Sequence, residues 1–137
     1  MTQKLKVKKI DEKALIPEYA YESDVALDIR SIETVTIKPF EQKEIKTGIA
    51  IEIPDNHVGI IRDRVGIVTK IGCHVIAGTF SSTYRGEITI FMVNYTNTEV
   101  QIEEEMKVAQ IVILPVAKLP VEEVENLSET ERSLKNK

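Results

Sequence analysis

Residues 64–87 read RVGIVTKIGCHVIAGTFSSTYRGE, and the fold turns on how that stretch is read. A charged turn at Arg64 leads to Gly66, a short β-branched run follows, and two further glycines precede Tyr84-Arg85-Gly86-Glu87 and an apolar strand. Gly72, Gly78 and Gly86 permit turns and close backbone approach that a Cβ would block. A loop–strand–turn–strand unit of this kind can wrap a flat ligand with its main chain. The same spacing also suits a plain ligand-free β-hairpin, because glycine turns join strands in any β protein.

On the N-terminal side, Val35 to Ile61 alternates short strands with Pro39, a Lys46-Thr47-Gly48 bend and a Pro54-Asp55-Asn56 turn. Short strands so punctuated predict a sandwich, jelly roll or distorted barrel, not an α/β plan. On the C-terminal side, Ile88 to Val93 is apolar almost throughout, which predicts a strand buried on both faces. Asn94 to Asn97 then turns the chain, and Val100–Ile102 and Val108–Leu114 supply two more strands. Gln110 stands alone among Val108, Ala109, Ile111 and Val112 and must be hydrogen-bonded. Asp28, between Leu27 and Ile29, either faces solvent or pairs with a cation in a cleft. Lys4 to Ile10 alternates cation and apolar residue, a half-buried strand whose lysines discourage edge pairing; this reading is preferred to a nucleic-acid or targeting patch.

The chain has 137 residues and a net charge of −4. That length fits a single domain, residues 1–120, followed by an acidic tail at 121–137 that carries no core signal and is expected to be mobile. Ser128 and Glu131 have capping-box spacing, which allows one helical turn around Glu129 to Arg132. Cys73 is the sole cysteine, so no internal disulfide forms, and neither His57 nor His74 has companions at metal-ligand spacing. A reducing cytosol, and hence a cytoplasmic location, is the default. No apolar run is of membrane-spanning length and no signal core follows the first lysines. The acidic balance argues against broad nucleic-acid binding, while local cations can still hold a phosphate.

Asp24-Val25-Ala26-Leu27-Asp28-Ile29, Arg64-Val65-Gly66, Gly78 through Tyr84-Arg85-Gly86-Glu87, and Val108-Ala109-Gln110-Ile111-Val112 resemble, in order and spacing, the first four motifs of the homotrimeric dUTPases. Leu127 to Arg132 resembles the lead-in to the fifth. The resemblance implies an all-β distorted jelly roll or β-clip barrel, one short helix after the second motif, and a closed homotrimer with sites between subunits. Ile88, Ile90, Met92, Val108, Ile111 and Ile113 are candidates for the apolar surface a trimer would bury. It also implies cleavage of dUTP to dUMP and pyrophosphate with magnesium. Main-chain groups from Gly72 to Tyr84 would hold uracil and Tyr84 would stack under the deoxyribose. Arg64, Val65, Gly66 and Gln110 would lie near the phosphates, and Asp28 would help organise the site around magnesium-bound triphosphate.

Three departures bear on chemistry. Ser81 stands where the family's general-base Asp falls, and an unassisted hydroxyl lacks a carboxylate's basicity, so hydrolysis is expected to slow by about 10²–10⁴-fold. Val65 replaces a serine that contacts phosphate. After Arg132 the sequence continues Ser133-Leu134-Lys135-Asn136-Lys137, where the family has a glycine-rich arm that closes over the triphosphate. The expectation is a vestigial deoxyuridine-nucleotide site, inactive or very weak in hydrolysis. The alternatives are a functional dUTP diphosphatase and a natural or engineered trimeric scaffold with no ligand. A dCTP deaminase fits poorly: Phe91 stands where that family has a catalytic Glu, and Glu87 reads as a turn-adjacent surface acid.

Overall fold

The structure is a computed structural model in which residues 3–134 are described. Among the described residues, ten strands and one short helical turn follow in order: β1 Lys6–Lys9, β2 Leu27–Arg30, β3 Val35–Ile37, β4 Gln42–Glu52, β5 His57–Arg62, α1 Ile67–Ile71, β6 Cys73–Ile76, β7 Thr79–Phe80, β8 Glu87–Asn94, β9 Val100–Ile102 and β10 Lys107–Pro115. They form a sheet ordered β1-β4-β8-β6, a second ordered β2-β10-β5-β7, and a two-stranded β3-β9 pair, with antiparallel pairing throughout. The expected all-β jelly-roll architecture and the short helix after Gly66 are both present.

One apolar cluster binds the three sheets together: Ile29, Ile61, Val108 and Ile111 meet Ile45, Ile49, Ile88, Ile90 and Met92, with Ile37 and Ile102 from the third. These side chains are β-branched or long aliphatics that alternate inward along their strands, so each strand contributes one face to the core. Asn94, the one wholly buried side-chain amide among the described residues, is satisfied on every side. Its Nδ2 donates to the Ile37 and Thr98 carbonyls at 3.0 and 2.8 Å, and its Oδ1 accepts from the Thr96 amide and hydroxyl at 2.8 and 2.7 Å. The turn after β8 and the strand β3 are pinned by that one side chain.

Several expectations are corrected. β8 is not buried on both faces: Ile88, Ile90, Met92 and Asn94 point inward, while Thr89 and Val93 are half-buried and Phe91 is 36% exposed, because only one side of the sheet meets the core. Ile88, Ile90, Met92, Val108 and Ile111 are therefore interior residues of a single chain and not spare surface for a trimer; Ile113 alone of that set is only partly buried. The Lys46-Thr47-Gly48 bend does not separate two strands. β4 runs through it, and the register against β8 shifts between Lys46 and Ala50 around Gly48, whose φ is +69°. Residues 72–84 are not a self-paired hairpin: β6 pairs with β8 in one sheet and β7 pairs with β5 in the other. In the tail, the bonds run between Thr130 and Ser133, giving a turn there and not a helical turn capped by Ser128. No helix among the described residues is long and apolar enough to cross a membrane.

β1 sits at the edge of its sheet, as the lysine alternation predicts, with Lys6 3.6 Å from Glu52 on β4.

Candidate functional site

Three neighbouring strands set the first group of residues in line. β10 lies between β2 and β5, and its register places Gln110 opposite Asp28 on one side and Arg62 on the other. Directly opposed residues share a face, so Asp28 and Gln110 emerge together beside the loop that carries Arg64. Asp28 is only 8% exposed. Its Oδ1 accepts from Arg64 Nε at 3.1 Å, and its Oδ2 forms an ion pair with Lys107 Nζ at 3.0 Å. Of the two readings open for this acid, the paired one holds. Lys107 was missed from the sequence; the available signal was a cation at the start of the strand that carries Gln110.

Gln110 donates from Nε2 to the Asp63 carbonyl at 2.8 Å, which meets the requirement that a lone Gln in an apolar strand be bonded. A cavity of about 360 Å³ opens over this cluster, lined by Asp24, Asp28, Arg64, Val65, Gly66 and Gln110 with apolar neighbours from residues 20–26. Arg64 and Lys107 offset the buried Asp28 carboxylate, so the guanidinium and the Gln110 amide are the donors this cavity offers an anion, with Asp24 also in its lining. Val65 stands at its lip, 77% exposed. A methyl pair there offers a passing phosphate no donor.

The second group surrounds the bend between β6 and β7. Ala77 and Gly78 both take positive φ, +59° and +112°, and the Gly78 carbonyl accepts from the Ile61 amide at 2.8 Å. The bend walls a cavity of about 200 Å³ lined by Ile61, Ile76 to Phe80, Thr89, Ile90 and Phe91. It is small, apolar and flanked by main chain, the size and character of a subsite for a single flat ring. Phe91 at this wall is an uncharged ring and supplies no proton-transfer group.

Ser81 opens the turn that follows, its carbonyl accepting from the Tyr84 amide at 3.1 Å. Tyr84 folds back over its own turn: its hydroxyl donates to the Glu87 carbonyl at 2.8 Å, and its ring lies 5.4 Å from that of Phe80. Gly86 leaves room for this arrangement: a Cβ there would stand 2.6 Å from the Tyr84 hydroxyl, and the exposed ring would have to shift. Glu87 is not the surface acid expected. It is half-buried, and its Oε2 accepts the Gly48 amide at 2.9 Å, so it braces the β4 bulge.

The sequence-derived residues thus fall into two sets. Asp28, Arg64, Val65, Gly66 and Gln110 line the larger cavity, Gly78 the smaller, and Ser81 and Tyr84 occupy the turn beyond it; among the described residues none lines both cavities. No group of three or more His, Cys, Asp or Glu among the described residues is placed to hold a metal ion. Both oxygens of Asp28 are engaged by cations.

The dUTPase family model matches residues 12–137. The deoxyuridine 5'-triphosphate nucleotidohydrolase of Clostridium novyi is 47% identical over 131 residues, covering 94% of this chain and 92% of that protein. The Trichodesmium erythraeum protein of the same name is 46% identical over 133 residues, covering 96% and 94%. Among solved structures, the dUTPase of Staphylococcus bacteriophage 80alpha with dUpNHpp superposes with a TM-score of 0.92 at 28% identity, covering 98% of this chain and 96% of that one. A variant of the phage phi11 dUTPase of S. aureus, described with a structural Mg(II) ion, gives a TM-score of 0.85 at 28% identity, covering 90% of this chain and 98% of that one.

Proposed function

The chain belongs to the dUTPase family, and on that premise we propose that its site takes deoxyuridine nucleotides and is laid out for cleavage of dUTP to dUMP and pyrophosphate, with a slow chemical step. The observation that carries this reading is the division of the site into two complementary halves. A ring-sized apolar cavity sits at Gly78 and a polar one at Asp28, Arg64 and Gln110, with no shared lining among the described residues. In a closed homotrimer the base half of one chain would meet the phosphate half of another. Main-chain donors and acceptors around Gly78 would select uracil, and the Tyr84 ring, held in place by its own hydroxyl bond, would support the sugar.

At the phosphate end, Arg64 and Gln110 would bind and orient the chain of phosphates. Magnesium would arrive on the triphosphate, with Asp28 beside it and not as a principal ligand. Ser81 would stand where a water must lose a proton, and a hydroxyl there leaves the rate about 10²–10⁴-fold below that of a carboxylate-bearing site. A second reading, nucleotide binding without turnover, is favoured by the exposed Val65 at the phosphate lip together with Ser81.

Pyrophosphate release from dUTP with magnesium, measured for the chain as it stands and for Ser81→Asp, tests both. Slow release that rises in Ser81→Asp supports the first reading. No release from either, with dUMP bound and dCTP and TTP refused, supports the second. Turnover at about 1 s⁻¹ or faster without substitution, an ordinary enzyme rate, refutes the role given to Ser81. Failure to bind any pyrimidine nucleotide refutes the nucleotide site altogether and leaves a trimeric scaffold.

A further inference from the structure

One residue outside both cavities fastens the loop between β5 and α1. The Asp63 carboxylate accepts the Val75 amide through Oδ1 at 2.7 Å and is bonded through its other oxygen by His74 Nδ1, both on β6. Its carbonyl accepts Gln110 Nε2 at 2.8 Å. The next residue is Arg64, whose Nε reaches Asp28. A single residue thus grips β6 with its side chain and Gln110 with its main chain, and the peptide that follows carries the guanidinium of the phosphate half.

We infer that Asp63 is a positioning residue for phosphate recognition, and that its bonds to β6 set where Arg64 and Gln110 stand. The inference rests on the nucleotide reading above. The carbonyl takes one hydrogen of the Gln110 amide and leaves the second, with the amide oxygen, for a ligand. The Gln110 amide would otherwise turn freely about its last side-chain bond, and a group held in one orientation loses less entropy on binding than one that must be ordered. The carboxylate has two independent anchors on β6, so the loop cannot slide along that strand without breaking a charge-assisted bond. Nothing in the sequence alone singles Asp63 out, because its partners lie 11, 12 and 47 residues away.

The test compares Asp63→Ala with Asp63→Asn, which keeps an acceptor for the Val75 amide and turns an NH₂ toward His74, whose Nδ1 accepts it in the tautomer protonated at Nε2. Binding of dUpNHpp with magnesium is measured by calorimetry and binding of deoxyuridine by NMR titration. Asp63→Ala is expected to weaken dUpNHpp about tenfold, the effect of about one misplaced charge-assisted contact, while deoxyuridine is unchanged and Asp63→Asn restores the wild-type value within about twofold. Amide exchange at residues 64–67 is expected to accelerate in Asp63→Ala while exchange in β4 and β8 stays as it was. A proportional loss of both ligands, or no loss of either, overturns the positioning role. If the unsubstituted protein gains no affinity from the phosphates, the nucleotide reading fails instead, and unchanged exchange at 64–67 in Asp63→Ala then overturns the inference independently.

Discussion

Replacing Gly78 by alanine should cost this protein about 3 kcal/mol, by two routes that the structure separates. The backbone there has φ +112°, a conformation that L side chains rarely adopt, and holding a non-glycine residue in it costs about 1–3 kcal/mol. The added Cβ would also stand 2.7 Å from Ile61 Cβ and 3.1 Å from its Cγ1. Cβ of a β-branched strand residue cannot swing aside by changing rotamer, so the strand or the bend must shift, at a cost of about 1–3 kcal/mol more. Partial relaxation relieves both strains together, which places the sum near ~3 kcal/mol. For a chain of 137 residues an unfolding entropy of about 2 cal/mol/K per residue converts this to a fall in Tm of roughly 10 °C.

Gly66 is the internal control. Its φ is −63° in the right-handed region and nothing lies within 4 Å of a built Cβ, so Gly66→Ala should be neutral or should stabilise by about 0.4–1 kcal/mol. Thermal and urea unfolding at one fixed protein concentration would measure both. Below its melting point Gly78→Ala should also bind deoxyuridine more weakly, because the bend walls the smaller cavity. If Gly78→Ala melts within about 2 °C of the unsubstituted chain, against the conversion above, or if Gly66→Ala is the more damaging, the reasoning fails.

Asp28→Asn removes the charge that joins Arg64 and Lys107, whose side chains are 33% and 28% exposed; discounted for that exposure, the loss should be about 2 kcal/mol, smaller at high salt, and a loss under about 0.5 kcal/mol in urea titrations would count against the pairing. Burial raises the pKa of the Cys73 thiol above its usual value, so a disulfide reagent at pH 8 should modify the native chain far more slowly than the urea-unfolded one. The sign of its effect on stability follows: the unfolded chain releases the thiol proton at lower pH than the folded one, so this contribution holds below the unfolded pKa of about 8.5 and is lost as pH rises through the folded value. Rapid modification of the native chain would show that β6 opens readily.

What could be read along the chain was whatever a residue demands regardless of its neighbours. Gln110 in an apolar strand had to find a bond, Asp28 between Leu27 and Ile29 had to find a cation or water, and Ser81 lacks a carboxylate in any fold. Strand alternation and glycine punctuation were enough to indicate an all-β chain, and motif spacing was enough to indicate the family. Partners were a different matter. Lys107 and Arg64 meet Asp28 from 79 and 36 residues away, Glu87 braces Gly48 across the bulge, and Asp63 ties β6 to Gln110. Period-2 alternation says which residues share a face but not what lies opposite that face, and so β8 read as buried on both sides when only one side meets the core. The separation of β6 and β7 into different sheets had the same origin: strand pairing is chosen by long-range register, and only the packed structure decides it.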